Sequence, residues 1–326
     1  MGTSEIPYPS NLPESRPSAS AAGKPPGRAS RRYDAAPMPT PNPLSTGTLL
    51  VSCPDRRGIV AALAQTLYGH GANILDADQH TDPVALQFFQ RIRFDLSEMH
   101  VDRKTLERAV GEVAERFEMR WQMLLASERK RVAIFVSRYD HCLWDLLLRH
   151  RAGELACDIS LVVSNHPDLK AVADQFGVEF QVFPITAASK SEQEQRELEL
   201  LSARRIDLVV LARYMQVLST AFIECWPARI INIHHSFLPA FVGSKPYHQA
   251  YKRGVKLIGA TAHYATTDLD EGPIIDQDVA RASHRDSPAD LVRKGRDLER
   301  SVLARAVRWH VDDRVLVYGN KTVVFD

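Results

Sequence analysis

The chain has 326 residues, 44% hydrophobic and 25% charged, an ordinary globular composition with length for about two domains. Its 41 basic residues nearly balance 40 acidic ones, which removes any global attraction to nucleic acid or an anionic membrane. Four scattered cysteines, Cys53, Cys142, Cys157 and Cys225, form no C-x-x-C pair, and no apolar run nears the ~20 residues of a membrane span; the expectation is free thiols in the cytoplasm.

Residues 1–46 hold ten of the nineteen prolines and few large apolar side chains. They bury too little surface to offset ordering entropy, so this tail is expected to be disordered. No apolar core follows its basic residues as in a signal peptide, and Met38 is a candidate start just before the ordered part. Residues 47–126 read as β-α-β-β-α-β: a strand at Thr48–Cys53, a helix from Ile59 to Tyr68, strands at Asn73–Leu75 and Phe88–Phe94, a helix from Leu106 to Phe117 and a strand at Trp121–Leu125. The P-D-x-x-G-I opening at Pro54, Asp55, Gly58 and Ile59 resembles the ACT domain family. That resemblance implies a ferredoxin-like fold, an amino-acid effector near Asp55, Gly58 and Ile59, and edge pairing into a homodimer or homotetramer. In the blander alternative Asp55 caps the helix or shapes its turn, and the domain serves assembly only.

Residues 127–131 form a charged linker, and residues 132–326 change pattern. Apolar strands at Val132–Val136, Cys157–Ser164, Glu179–Phe183, Ile206–Leu211 and Arg229–His234 are separated by helical stretches, which predicts an α/β domain with a doubly wound, mostly parallel sheet covered on both faces. Ligands of such sheets bind beyond the carboxyl ends of strands. No GxGxxG, Walker or G-x-S-x-G motif is present, and the loop Ser137–Cys142 has no glycine to bring backbone close to a phosphate. An amphipathic helix at Asp290–Trp309 and a hairpin turning at Gly319-Asn320 close the chain and read as structural.

The chemistry concentrates in Asn232-Ile233-His234-His235-Ser236-Phe237-Leu238-Pro239. Strand alternation puts Asn232 and His234 on one side and Ile233 on the other, and would turn His234 and His235 to opposite sides if the strand persists. Downstream, the strand Leu257–Tyr264 leads into an acidic turn ending at Asp270-Glu271-Gly272-Pro273. An amide, an imidazole and a carboxylate at neighbouring strand ends suffice for acyl chemistry: oxyanion stabilisation, proton relay and activation of water. Two other readings are weaker. His234, His235, His248 and His263 as metal ligands would need adjacent histidines to converge, and Cys142 as a nucleophile lacks an assignable base.

N-I-H-x-S-x-L-P at 232–239, followed by His263 and L-D-x-G-P-I-I at 269–275, resembles the formyltetrahydrofolate-using formyltransferase fold. With the ACT-like module, and with the strings Lys245–Tyr251 and Val317–Asn320, the chain is similar to the formyltetrahydrofolate deformylase family over residues 47–325. The resemblance implies hydrolysis of 10-formyltetrahydrofolate to formate and tetrahydrofolate, supporting one-carbon balance and formate supply for purine synthesis. It assigns Asn232, His234 and Asp270 to catalysis. The chemistry of the groups then puts Asp270 as the base toward water, a role that apolar neighbours would favour if they raised its pKa, and His234 as the acid toward the leaving folate nitrogen. The resemblance places Met215, Val217 and Leu218 at the pterin pocket and His263, Tyr264 and Thr267 on the opposite wall, with His235 as a further wall residue. Folate is then substrate, and neither cofactor nor metal is expected. The related glycinamide ribonucleotide formyltransferase has a glycine-bearing phosphate loop where this chain has Arg138–Cys142, which favours water as acceptor. Transfer to another amine, or a non-catalytic folate or amino-acid sensor, are the alternatives.

Overall fold

Two sheets organise the protein, and the computed structural model describes residues 43–239 and 246–326 of it. The tail through residue 42, with Met38, and Lys245 lie outside the described residues. The first sheet holds β1 (Thr46–Pro54), β2 (Asn73–Asp82), β3 (Gln87–Asp95) and β4 (Arg120–Leu125), with α1 (Ile59–Gly69) and α2 (Arg103–Phe117) between them. Its order is β2-β3-β1-β4, all antiparallel, the β-α-β-β-α-β arrangement expected. Strand period sorts its two faces: Leu49, Val51, Phe88, Ile92 and Phe94 pack with Leu63 of α1 and Leu106 of α2, while Leu50 and Phe89 face away. The strand begins at Thr46, slightly before the expected Thr48, after a short helical turn at Pro43–Ser45.

The second sheet follows from β5 (Arg131–Val136), whose first residue had been counted as linker. After it come α3 (His141–Arg151), β6 (Asp158–Ser164), α4 (Lys170–Gln175), β7 (Glu179–Val182), α5 (Lys190–Ala203), β8 (Leu208–Leu211), α6 (Thr220–Glu224) and β9 (Ile230–His234). Then follow α7 (Pro246–Arg253), β10 (Leu257–Tyr264), β11 (Ile274–Arg281) and α8 (Pro288–Val311). The order is β11-β10-β9-β8-β5-β6-β7. The apolar strands have no polar face because both sides are covered: Val132, Ile134 and Val136 enter one core with α3 and α8, and Ala133 and Phe135 enter the other with Leu201 and Phe222. The winding reverses between β5 and β8, where a doubly wound sheet opens its crevice.

β5 to β9 are parallel, but β10 runs antiparallel to both β9 and β11. The residues of β10 therefore meet β9 by cross-strand pairing, not as a second carboxyl end. α8 is started by a capping box at Ser287 and Asp290 with Pro288 in its first turn. Beyond it, β12 (Val315–Tyr318) and β13 (Lys321–Val324) form a hairpin. Gly319 has φ +54, the primed-turn geometry expected.

This hairpin covers the outer face of the first sheet. Phe325 is buried with Leu50 and Phe89, and the ring of Tyr318 lies 4.5 Å from that of Phe89. Arg91, 3% exposed, donates to the carbonyls of Asp313 at 2.9 Å and Asp312 at 3.3 Å just past α8. Lys130 pairs with Asp313. Among the described residues, no helix is long and apolar enough to cross a membrane.

Phe135 is fully buried and meets Tyr214 and Phe222 edge-on, at 5.3 and 6.1 Å. Phe135→Ala should lower stability by about 3–5 kcal/mol, read as an earlier urea transition of the catalytic half. A midpoint within error of wild type would show that the second core does not depend on it.

Candidate active site

A cavity of about 630 Å³ opens where the winding reverses, beyond the carboxyl ends of β5, β8 and β9. β9 supplies its floor. Asn232 and His234 face the cavity while Ile233 is buried in the core, as strand alternation requires. Opposite Asn232 in register stands His263 of β10, and Asn232 Nδ2 lies 3.2 Å from His263 Nε2. His263 Nδ1 is 3.0 Å from the carbonyl of Tyr264, which only accepts, so this nitrogen is the donor. A neutral ring then has its lone pair on Nε2, which accepts from Asn232 and orients the amide nitrogen.

The segment 265–273 folds back onto the strands that flank it. Ala265 N–H donates to Ile230 and Tyr264 N–H to Pro273, both carbonyls at 2.8–2.9 Å. Gly272 passes so close to β10 that a Cβ there would stand 1.8 Å from the Tyr264 carbonyl oxygen, so no larger residue fits. Asp270 takes φ +60, a left-handed conformation uncommon for a non-glycine residue. This geometry puts its Oδ1 3.1 Å from His234 Nδ1 and 3.7 Å from His263 Nε2. Burial alone would raise the Asp270 pKa, but the hydrogen bond from His234 outweighs it and holds the carboxyl well below the usual range. A rise from apolar neighbours, which would favour a base, is thus not what this site produces, because the apolar surroundings come with the His234 donor. His234 Nε2 is buried and has no hydrogen-bond partner among the described residues.

His235 does not turn away from His234. The strand ends at His234, so alternation stops there, and both rings line the cavity with centroids 5.3 Å apart. Burial, with the Arg213 guanidinium nearby, pushes the His235 imidazole down to about 4. Met215, Val217 and Leu218 line one arm of the cavity, and Thr267 and Leu269 are also in its lining. Tyr264 is not part of the lining. It alternates away from His263, is 2% exposed in the core, and its hydroxyl meets His310 Nδ1 at 2.8 Å.

The other arm was missed from sequence. Glu299 of α8, 1% exposed, takes hydrogen bonds from Tyr247 Oη and His141 Nε2, both at 2.8 Å, and lies 3.4 Å from Arg213 Nε. Burial opposes its charge, yet His141, Arg213 and Tyr247 together keep its pKa lowered. Gly295 makes room for this: a Cβ there would sit 2.1 Å from the Tyr247 ring. A glycine inside a long helix was the available signal. The glycine-free loop after β5 brings Tyr139 to the cavity edge, with the guanidinium carbons of Arg213 and Arg296 at 5.0 and 6.0 Å from its ring centroid.

Among the described residues, His141, Cys142 and Glu299 are the one group with ligand atoms close enough for a metal ion; His234, His235, His248 and His263 do not gather. Cys142 is fully buried with its thiol pKa raised by burial, a packing residue. At the first sheet, α1 starts at Gly58 with φ +92 and no side-chain cap. Asp55 is thus not the cap; its backbone N–H donates to the Leu86 carbonyl.

The Formyl transferase family matches residues 130–307 and the ACT domain family residues 47–116. The chain is 57% identical over 280 residues to a formyltetrahydrofolate deformylase of Synechocystis sp., covering 86% of this chain and 98% of that one. The chain belongs to the formyltetrahydrofolate deformylase family. A deformylase of Bacillus subtilis is 51% identical, with 86% and 94% covered. The crystal structure of the formyltetrahydrofolate deformylase from Pseudomonas syringae pv. tomato superposes with a TM-score of 0.84 at 47% identity, over 86% of this chain and 94% of that one. Glycinamide ribonucleotide transformylase 1 from Symbiobacterium toebii matches less of it: TM-score 0.57 at 30% identity, over 61% and 95%. Family membership thus spans both sheets of this deformylase relative.

One titration isolates His235. Unfolded, it takes up a proton near its ordinary 6.5, whereas folded it refuses one until about 4, so its contribution to stability is present at neutral pH and falls as pH drops through that window. Urea stability of the wild type, relative to a His235→Asn variant, should therefore decline from about pH 7 to about pH 5. A difference independent of pH would mean that His235 titrates normally.

Proposed function

We propose that the chain hydrolyses 10-formyltetrahydrofolate to formate and tetrahydrofolate, with Asn232, His234 and Asp270 as its catalytic residues. The observation that carries this reading is the His234 imidazole, held at Nδ1 by Asp270 and without a hydrogen-bond partner at Nε2 among the described residues, beside the oriented Asn232 amide. Relatives named as deformylases over almost their whole length support water as the acceptor. The loop after β5 points the same way, since it presents the side chains of Tyr139 and His141 to the cavity instead of glycine backbone.

The folate ring occupies the apolar arm at Met215, Val217 and Leu218, with His263 and Thr267 opposite and His235 on the wall beyond. Water attacks the formyl carbon and the developing oxyanion is met by the Asn232 amide. Asp270 is held ionised by its contact with His234 and orients that imidazole. It keeps the proton of His234 on Nδ1, so that Nε2 carries the lone pair that takes the proton from water and returns it to the departing folate nitrogen. This moves the base toward water from Asp270, where it was first expected, to His234, which keeps the protonation of the leaving nitrogen; the contact of Asp270 with Nδ1 is the reason. Hydrolysis of a formamide by these groups calls for no cofactor. Assembly as a homodimer or homotetramer through the ACT sheet, a cytoplasmic location, and an amino-acid effector near Asp55, Gly58 and Ile59 belong to the same reading.

Incubation of pure protein with 10-formyltetrahydrofolate and no amine should release formate and tetrahydrofolate in equal amounts; no release would end the hydrolase reading. Asn232→Ala should lower kcat about 10²- to 10³-fold. Asp270→Asn and His234→Ala should each lower it about 10²- to 10⁴-fold. Near-normal turnover by Asp270→Asn would remove Asp270 from the mechanism.

A further inference from the structure

The C-terminal hairpin has no part in the chemistry above, yet its side chains reach the Asp270 turn from outside. Asn320 Nδ2 donates to the carbonyl of Glu271, the residue after Asp270, at 2.8 Å. Thr322 Oγ1 donates to the carbonyl of Ile274, just past Pro273, at 2.6 Å. The Gly272-Pro273 corner is thus gripped on both sides. The same turn end of the hairpin also rests on the ACT sheet. Tyr318 Oη donates to Asp82 Oδ2 at 2.9 Å, and the backbone amides of Val84 and Ala85 bind Asp82 Oδ1 at 2.9 and 3.0 Å. Two side-chain hydrogen bonds, joined by the backbone from Tyr318 to Asn320, therefore connect the β2–β3 turn to the residue beside Asp270.

Asp270 needs such support. It sits in a left-handed conformation at φ +60, and Gly272 leaves no slack against β10. Inside the turn, the Glu271 N–H bond to Asp268 is long, at 3.3 Å, and the Thr266 hydroxyl donates to the Asp268 carbonyl at 3.0 Å. A shift of the Glu271 carbonyl would move Asp270 directly, and the contact of 3.1 Å with His234 has little tolerance.

We propose that Asn320 is a positioning residue for Asp270, and that the hairpin holds the Asp270 turn in place from its seat on the ACT sheet. The proposal rests on the role assigned to Asp270 above. Three variants of the full chain test it: Asn320→Ala, the near-isosteric Asn320→Asp, whose carboxylate cannot donate to Glu271, and Tyr318→Phe. Both Asn320 variants should lower kcat about 5- to 20-fold while KM for 10-formyltetrahydrofolate stays within about twofold. The acid limb of their kcat profile should move, because the Asp270 carboxyl, held well below its usual range by its contact with His234, loses part of that contact. Tyr318→Phe should lower kcat about threefold in the same manner.

Turnover retained by both Asn320 variants, or lost with an unmoved pH profile, would overturn the positioning role. Unchanged kcat in Tyr318→Phe would sever the link to the ACT sheet. Amide hydrogen exchange over residues 268–272 should rise in the Asn320 variants and needs no activity, so it reads the clasp even if wild-type protein releases no formate. Exchange equal to wild type would dispose of the clasp itself.

Discussion

The contact between Asp270 Oδ1 and His234 Nδ1 is the constraint that the rest of the catalytic half serves. Several unrelated features are needed to make it. β10 must pair antiparallel with β9 so that His263 stands opposite Asn232. The chain must then return along β10 through a corner where only glycine fits, and Asp270 must accept a left-handed backbone. Each is a local cost, and together they aim one carboxylate at one ring nitrogen. A buried ion pair is weak evidence for stability, since desolvation offsets most of its attraction. Its consequence here is chemical: the tautomer of His234 is set and Asp270 stays ionised.

The cavity contains a second buried carboxylate, Glu299, and the two are kept apart by their partners. Asp270 faces imidazoles, whereas Glu299 is satisfied by Tyr247, His141 and Arg213. Arg213, like Asp270, has positive φ, at +65. Strained backbone thus occurs on both sides of the site, where the surrounding packing can hold it. His235 lies between these clusters and remains neutral because burial and Arg213 both oppose a second positive charge there.

α8 and the hairpin after it join the two sheets mechanically. Arg91 reaches from β3 to the backbone just past α8, and the hairpin covers the sheet face that Leu50 and Phe89 would otherwise expose. The same α8 carries Glu299 into the cavity, and the same hairpin touches the segment after Asp270. The first sheet is therefore packed onto elements that shape the site.

The strands, their alternation and their two-sided burial were legible in the sequence, because apolar period is a local property: Ile233 inward with Asn232 and His234 on the other side needed no tertiary information. So was the list of chemical groups, Asn232, His234 and Asp270, and the link of the P-D-x-x-G-I turn to an ACT fold. What remained hidden depends on neighbours distant in the chain. The direction of β10, the point at which β9 ends and lets His235 turn inward, and the core position of Tyr264 follow from strand pairing. The ionisation of Asp270 follows from which rings surround it, and the gathering of Glu299, Tyr247, His141 and Arg213 brings together residues up to 158 apart in sequence. Composition and spacing thus determined which groups the chain possesses and which face of a strand they take. Only the tertiary structure decided which of them meet, and hence which nitrogen holds a proton, because charge and contact are set by three-dimensional neighbours.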